Sequence, residues 1–155
     1  MLKFAEFSKD KKHRYCLSRK WSEKKQVVYI LLNPSTANHI NNDPTINRLI
    51  SISKNLGYGG FKVVNLYTLI TPFRYKLYQK KRKFSEKNKK IISNLIGKHN
   101  TVIYGWGATE NEPIWLKNLV ENPLCFEVNK NGTPKHPLYL SKETTLKEFQ
   151  RREKN

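Results

Sequence analysis

A few residues far apart in the chain carry side chains suited to a planar, polar ligand. Asn33 leads Asn33-Pro34-Ser35, Asn65 closes one apolar stretch, Trp106 and Gly107 close another, and His136 opens His136-Pro137. An asparagine offers one carbonyl and one amide, enough to read a donor/acceptor edge or to hold a water for attack. A Trp-Gly pair gives a flat apolar wall beside backbone that a planar ligand can approach closely. A histidine on a rigid turn is a candidate donor toward developing negative charge. Asp43 is a second candidate for activating water, and equally an N-cap for a helix opened by Pro44. Plainer roles stand beside these. Asn33 and Asn65 can cap loops, Trp106 can fill the core, and His136 can be an ordinary exposed histidine. His13, His39 and His99 read as surface residues.

Such residues meet only if the elements between them bring them together. Val27 to Leu32 is six apolar residues in a row, too short and unbroken for a surface helix. It reads as a strand buried on both faces, as in a parallel sheet. Ligands of open parallel sheets bind beyond the carboxyl ends of the strands, where Asn33 to Ser35 would lie. A helix over about Pro44 to Leu56 places Ile46, Leu49, Ile50 and Ser53 on one face and stops at Gly57. Gly59-Gly60 turns into a second buried strand, Phe61 to Leu66. Ser85 caps a helix bearing Ile91, Ile92, Leu95 and Ile96, closed by Gly97. A strand at Thr101 to Trp106, a helix near Glu112 to Glu121 and a strand at Leu124 to Val128 follow. His13 to Trp21 reads as an edge strand, residues 1–12 as a loose basic start, and residues 141–155 as a charged tail with room for one short helix. The expected fold is α/β: one domain over 1–155, a three-layer αβα sandwich around a mostly parallel sheet of four to five strands. The downstream ends of the strands would then share one rim.

Charge narrows the class of partner. Thirty Lys and Arg stand against 12 Asp and Glu, a formal net charge of +18 in 155 residues. Self-repulsion on that scale does nothing for a soluble fold, so a polyanion is the expected partner; a general lysine bias is the plain alternative. The basic segment from Phe73 to Phe84 interleaves Arg74, Lys76, Lys80, Lys81, Arg82 and Lys83 with Phe73, Tyr75, Tyr78 and Phe84. Cations among aromatic rings suit nucleic acid, the rings stacking on bases and the cations meeting phosphates. Cys16 and Cys125 form neither a metal spacing nor a disulfide framework, which fits a reduced cytoplasmic setting. No HxxxH, CxxC or glycine-rich phosphate loop is present, so neither metal nor cofactor is expected. No apolar run nears 18 residues and Met1-Leu2-Lys3 does not open a signal peptide, so no membrane association is expected. The chain is expected to act as a monomer.

Two resemblances rest on these motifs. Leu32-Asn33-Pro34-Ser35-Thr36-Ala37, Asn42-Asp43-Pro44-Thr45, Gly57-Tyr58-Gly59-Gly60 and Val63-Val64-Asn65-Leu66 resemble the domain of unknown function 1643 family. Gly105-Trp106-Gly107 and Lys135-His136-Pro137-Leu138-Tyr139-Leu140 fit the same pattern, so nearly the whole chain is covered. More distantly, the chain resembles the uracil-DNA glycosylase superfamily. Leu31-Leu32-Asn33-Pro34-Ser35 stands at its Gly-x-Asn-Pro-Gly-like motif, Asn65 at the end of its second strand, Gly105-Trp106-Gly107 at its third, and His136-Pro137-Leu138 at its late His-Pro-Ser motif. That resemblance implies that Asn33 positions the attacking water, Asn65 reads the edge of a flipped base, and His136 stabilises charge on the departing base. Pro34, Ser35, Trp106 and Gly107 would complete the substrate site. Leu31 departs from the family's glycine and Leu138 from its serine, which leaves the substrate open.

The expectation is therefore an N-glycosidase acting on DNA, with the cations of residues 74–83 on the phosphate backbone and no cofactor. RNA or a free nucleotide is the alternative substrate. Two rival readings are a non-catalytic DNA- or RNA-binding module that keeps the base pocket, and an enzyme on a small nucleoside or nucleotide.

Overall fold

Residue 26 begins the strand on which the architecture turns. In the structure, a computed structural model that describes residues 1–81, 84–99 and 101–151, β3 (Gln26–Leu31) is buried along all but its first residue. Its side chains divide between the two faces of the sheet as strand geometry requires. Val27, Tyr29 and Leu31 enter one apolar cluster with Ile46, Leu49 and Ile52 of α1 (Pro44–Asn55). Val28 and Ile30 enter another with Ile92 of α2 (Glu86–Lys98) and Leu116 of α3 (Ile114–Leu119). Helices therefore cover both faces.

The remaining strands are β1 (Leu2–Phe7), β2 (Arg14–Lys20), β4 (Gly60–Asn65), β5 (Val102–Tyr104), β6 (Leu124–Cys125) and β7 (Lys147–Glu148), in the sheet order β1-β2-β4-β3-β5-β6-β7. The inner four, β4-β3-β5-β6, are parallel, and the flanking pairs are antiparallel. After α1 the chain steps to one side of β3. After α2 it crosses to the other side over the opposite face, and after α3 it continues the same way, so all three crossovers share one hand. The strand order thus reverses at β3 and β5, and between their carboxyl ends lies the crevice that such sheets use for ligands.

Local chemistry sets the boundaries. Asp43 caps α1, its Oδ1 accepting from Ile46 N at 2.9 Å, with Pro44 in the first turn. Ser85 caps α2 by accepting from Asn88 N. Glycine at 60 is enforced by crowding: a Cβ there would stand 2.6 Å from the Arg19 carbonyl oxygen.

Several expectations are corrected. The sheet has seven strands, not four or five, and is mixed. Residues 2–7 are not loose but form β1, and β2 lies inside the sheet rather than at its edge. β1 escapes notice because it has no core face to bury, leaving Leu2 70% and Phe4 55% exposed. The tail supplies β7, not a helix, and Phe149 beside it packs on Tyr104. α2 runs past Gly97 to Lys98.

Candidate functional site

Beyond the ordered strands, the segments after β3 and β4 stay paired. Leu66 N–H donates to Leu31 O and Tyr67 N–H to Leu32 O, both at 2.9 Å, and Thr71 N–H to Pro34 O at 3.2 Å. Half-buried Asn33 reinforces this seam. Its Nδ2 donates to the carbonyls of Thr71 (2.8 Å), Pro34 (3.2 Å) and Leu69 (3.3 Å). Its donor end is committed to the backbone, and only Oδ1 is left for another partner.

The loop from residue 33 to Asp43 is fixed from below by buried charge. Asp43 is 7% exposed, and its Oδ2 accepts from Ala37 N at 3.2 Å while Oδ1 caps the helix. Arg14, 3% exposed, donates through Nη1 to Ala37 O at 3.0 Å. Burial pulls this guanidinium down to about 10, with the Asp43 carboxylate opposing the shift. Arg19 adds bonds to the Asn38 and Asn41 carbonyls and to Asn42 Oδ1. Both oxygens of Asp43 thus hold backbone, and the cap reading accounts for it. Pro34 is buried within this seam and Ser35 half-buried.

Asn65 ends β4 opposite Leu31 and is 1% exposed. Among the described residues neither its Nδ2 nor its Oδ1 has a hydrogen-bond partner. The neighbouring Asn88 donates 2.7 Å to the Asn65 backbone carbonyl and leaves its own Oδ1 unpaired. An unpaired buried amide costs about 1–3 kcal/mol, so this strand end keeps a donor and an acceptor at a cost in stability.

His136 reaches the same edge. The segment before it is tied to the end of β5 by Gly107 N–H donating to Pro134 O at 2.8 Å. Pro137 then presses on Gly105, where a Cβ would fall 3.1 Å from both Pro137 Cδ and Leu31 Cδ2. Pro137–Tyr139 forms a single 3-10 turn, capped by His136 Nδ1 accepting from Leu138 N–H at 3.2 Å. Burial, aided by nearby Arg74 and opposed by Asp43, lowers the imidazole pKa to about 4. The ring is therefore neutral at pH 7, with its proton on Nε2. Asn33, Asn65 and His136 thus stand at the carboxyl ends of three adjacent strands.

Trp106 does not join them. It is 1% exposed within the core on the α2 face, donates to Glu110 O at 2.8 Å, and lies against Tyr104. Strand parity explains this, since residues 102, 104 and 106 share a face and Gly105 takes the other. Gly107, at φ 91°, is buried in the turn beyond. Two cavities, of about 600 and 500 Å³, lie elsewhere, and neither is lined by Asn33, Asn65, Trp106 or His136.

The basic segment borders this rim. Residues 74–81 form a 3-10 helix with Leu77 fully buried and Phe73, Arg74, Tyr75 and Lys76 exposed. Arg74 lies close enough to add to the burial that lowers the His136 pKa and to oppose the burial that raises that of Tyr78. Tyr139, missed at the sequence level, is 84% exposed with its ring 6.4 Å from that of His136. Its place three residues after His136 across a proline turn was the available signal. The side chains of Lys80 and Lys81, and the whole of Arg82 and Lys83, lie outside the described residues. Among the described residues no three His, Cys, Asp or Glu side chains gather as metal ligands, and no helix is long and apolar enough to cross a membrane.

Comparison with known proteins gives one match. No curated protein and no solved structure matches the chain. The family described as "Protein of unknown function (DUF1643)" matches residues 14–138, from the start of β2 to the turn after His136, and the chain belongs to that family.

Proposed function

We propose that this protein is a nucleic-acid-acting N-glycosidase on a uracil-DNA-glycosylase-like fold, removing an unidentified base by hydrolysis. The observation that carries the reading is His136: a neutral imidazole at the sheet's carboxyl edge, Nδ1 occupied and Nε2 protonated, beside Arg74. In the reaction the bond from the sugar C1′ to the base nitrogen breaks, water oxygen bonds C1′, and the water's proton ends on the base. Positive charge grows on the sugar and negative charge on the base. A neutral Nε2–H donor facing that negative charge is worth about 3 kcal/mol, or 100- to 1000-fold in rate. Asn33 Oδ1 is the acceptor for the water, and the unpaired amide of Asn65 is the reader of the base edge. Extruding the base costs a few kcal/mol, and the exposed rings of Phe73, Tyr75 and Tyr139 offer compensating stacking.

A second reading, a binding module without catalysis, is favoured by the burial of Asn65. At 1% exposure its amide meets a base only after the rim opens. The test is incubation with duplexes carrying deaminated or modified bases, followed by alkali to cut at abasic sites. Cleavage by the wild type that falls at least 100-fold in His136→Gln supports the glycosidase. Tight binding with no cleavage of any substrate supports the module.

A further inference from the structure

The surface between α2 and α3 holds a cavity of about 600 Å³ lined by Lys87, Lys89, Lys90, Glu86, Trp115 and Leu119. Three lysines and one glutamate are among its lining residues, and Glu86 already engages Lys89 at 2.9 Å. Two of the ammonium groups are held over rings: Lys87 Nζ lies 4.5 Å from the Tyr15 centroid and Lys89 Nζ 5.7 Å from that of Trp115. Ammonium groups so placed lose less freedom when they meet an anion. A lysine-bearing helix face is commonly no more than solvated, but this one is joined to the rim. Asn88, on the first turn of α2, bonds the carbonyl that ends β4. A row of rings runs the same way, Tyr78 to Tyr67 at 5.9 Å, Tyr67 to Phe84 at 5.1 Å, and Phe84 to Trp115 at 5.7 Å.

We infer that the α2–α3 groove is a second nucleic-acid contact, taking the sugar–phosphate backbone of the strand whose base is engaged at the rim. This rests on the nucleic-acid reading above. From residue 86 to residue 93, α2 covers about 10 Å, or about three base-pair steps measured along a duplex axis. Lys87 and Lys90 carry the contact, with Lys89 released from Glu86 as phosphate enters.

The experiment measures binding of a fluorescent 20-base-pair duplex and a 6-base-pair duplex across a salt series. For Lys87→Ala/Lys90→Ala, the slope of log K against log salt on the long duplex is expected to become shallower by about 1.8, with the short duplex unaffected. Lys24→Ala/Lys25→Ala, in the turn that leads into β3 at the amino ends of the strands, removes equal charge and is expected to leave both slopes unchanged. If Lys87→Ala/Lys90→Ala matches this control while Arg74→Ala still weakens binding, the groove is overturned and the rim reading stands. If the wild type binds neither duplex, both fall together.

Discussion

His136 Nδ1 accepts the Leu138 backbone N–H at 3.2 Å, and this bond fixes which nitrogen of a neutral ring keeps its proton. The same bond makes protonation of the ring unfavourable, because a proton on Nδ1 would face a donor. Nitrogen-detected NMR should therefore show the Nε2–H tautomer at pH 7, with no titration until the pH approaches about 4.

The depressed pKa also sets a pH dependence of stability. The unfolded ring titrates near 6.5 and the folded one near 4, so between those values the unfolded chain binds more protons. The contribution is fully present above pH 6.5 and is lost as the pH falls toward 4. Urea unfolding of the wild type and of His136→Gln at pH 7.5 and pH 4.5 should show a steeper fall for the wild type.

Asn33 should behave first as a clamp. Three carbonyls depend on its Nδ2, and Asn33→Ala is expected to cost about 2 kcal/mol in urea unfolding. Asn33→Asp should cost more, because it sets a carboxylate oxygen against the same three carbonyls. A loss of activity in either variant with unchanged stability would instead place the residue's whole effect in the chemistry.

The tail is held by a bidentate pair. Arg151 Nε and Nη2 reach Glu112 Oε1 and Oε2 at 2.8 and 2.9 Å, and Tyr104 donates to the same carboxylate at 2.6 Å. Arg151 also donates to the Val120 and Glu121 carbonyls at the end of α3. Arg151→Ala should lower stability by about 2 kcal/mol, and Arg151→Lys should recover little of it, since an ammonium cannot reproduce the planar fork. Equal stability of the wild type and Arg151→Ala would show that the pair holds nothing together.

Residues with strong local causes were legible in the sequence. The apolar run of β3, the Asp43-Pro44 start of α1 and the Ser85 cap of α2 each have chemistry that acts within a few residues. β1 and β7 were not legible, because an edge strand is stabilised by its neighbour's backbone rather than by its own apolar side chains. In the site, the carboxyl-edge placement of Asn33 and Asn65 followed from strand order, whereas His136 reaches that edge through contacts of its turn with Gly105 and Gly107. Trp106 was misread because its face depends on parity counted from Val102. The commitments of Asn33 and Asp43 were hidden for another reason: their partners are backbone groups, which no residue type announces.

Asn65 supplies the sharpest test of whether the rim exists to bind something. Its amide is buried with neither end paired, a state that natural cores avoid unless the group has another use. Leucine has the same branched outline, a somewhat larger volume and no polar atoms, so Asn65→Leu removes the unpaired donor and acceptor without opening a cavity. Replacing an unsatisfied polar group by an apolar one of like shape is neutral or stabilising. The variant is expected to gain about 1 kcal/mol in urea unfolding while losing the base excision proposed above, the trade seen where a functional residue is held at a cost. Asn65→Ala separates volume from polarity, because it leaves a void and should lose the gain. If Asn65→Leu is destabilised as much as Asn65→Ala, the amide contributes to the fold as it stands, and no base is needed to explain it.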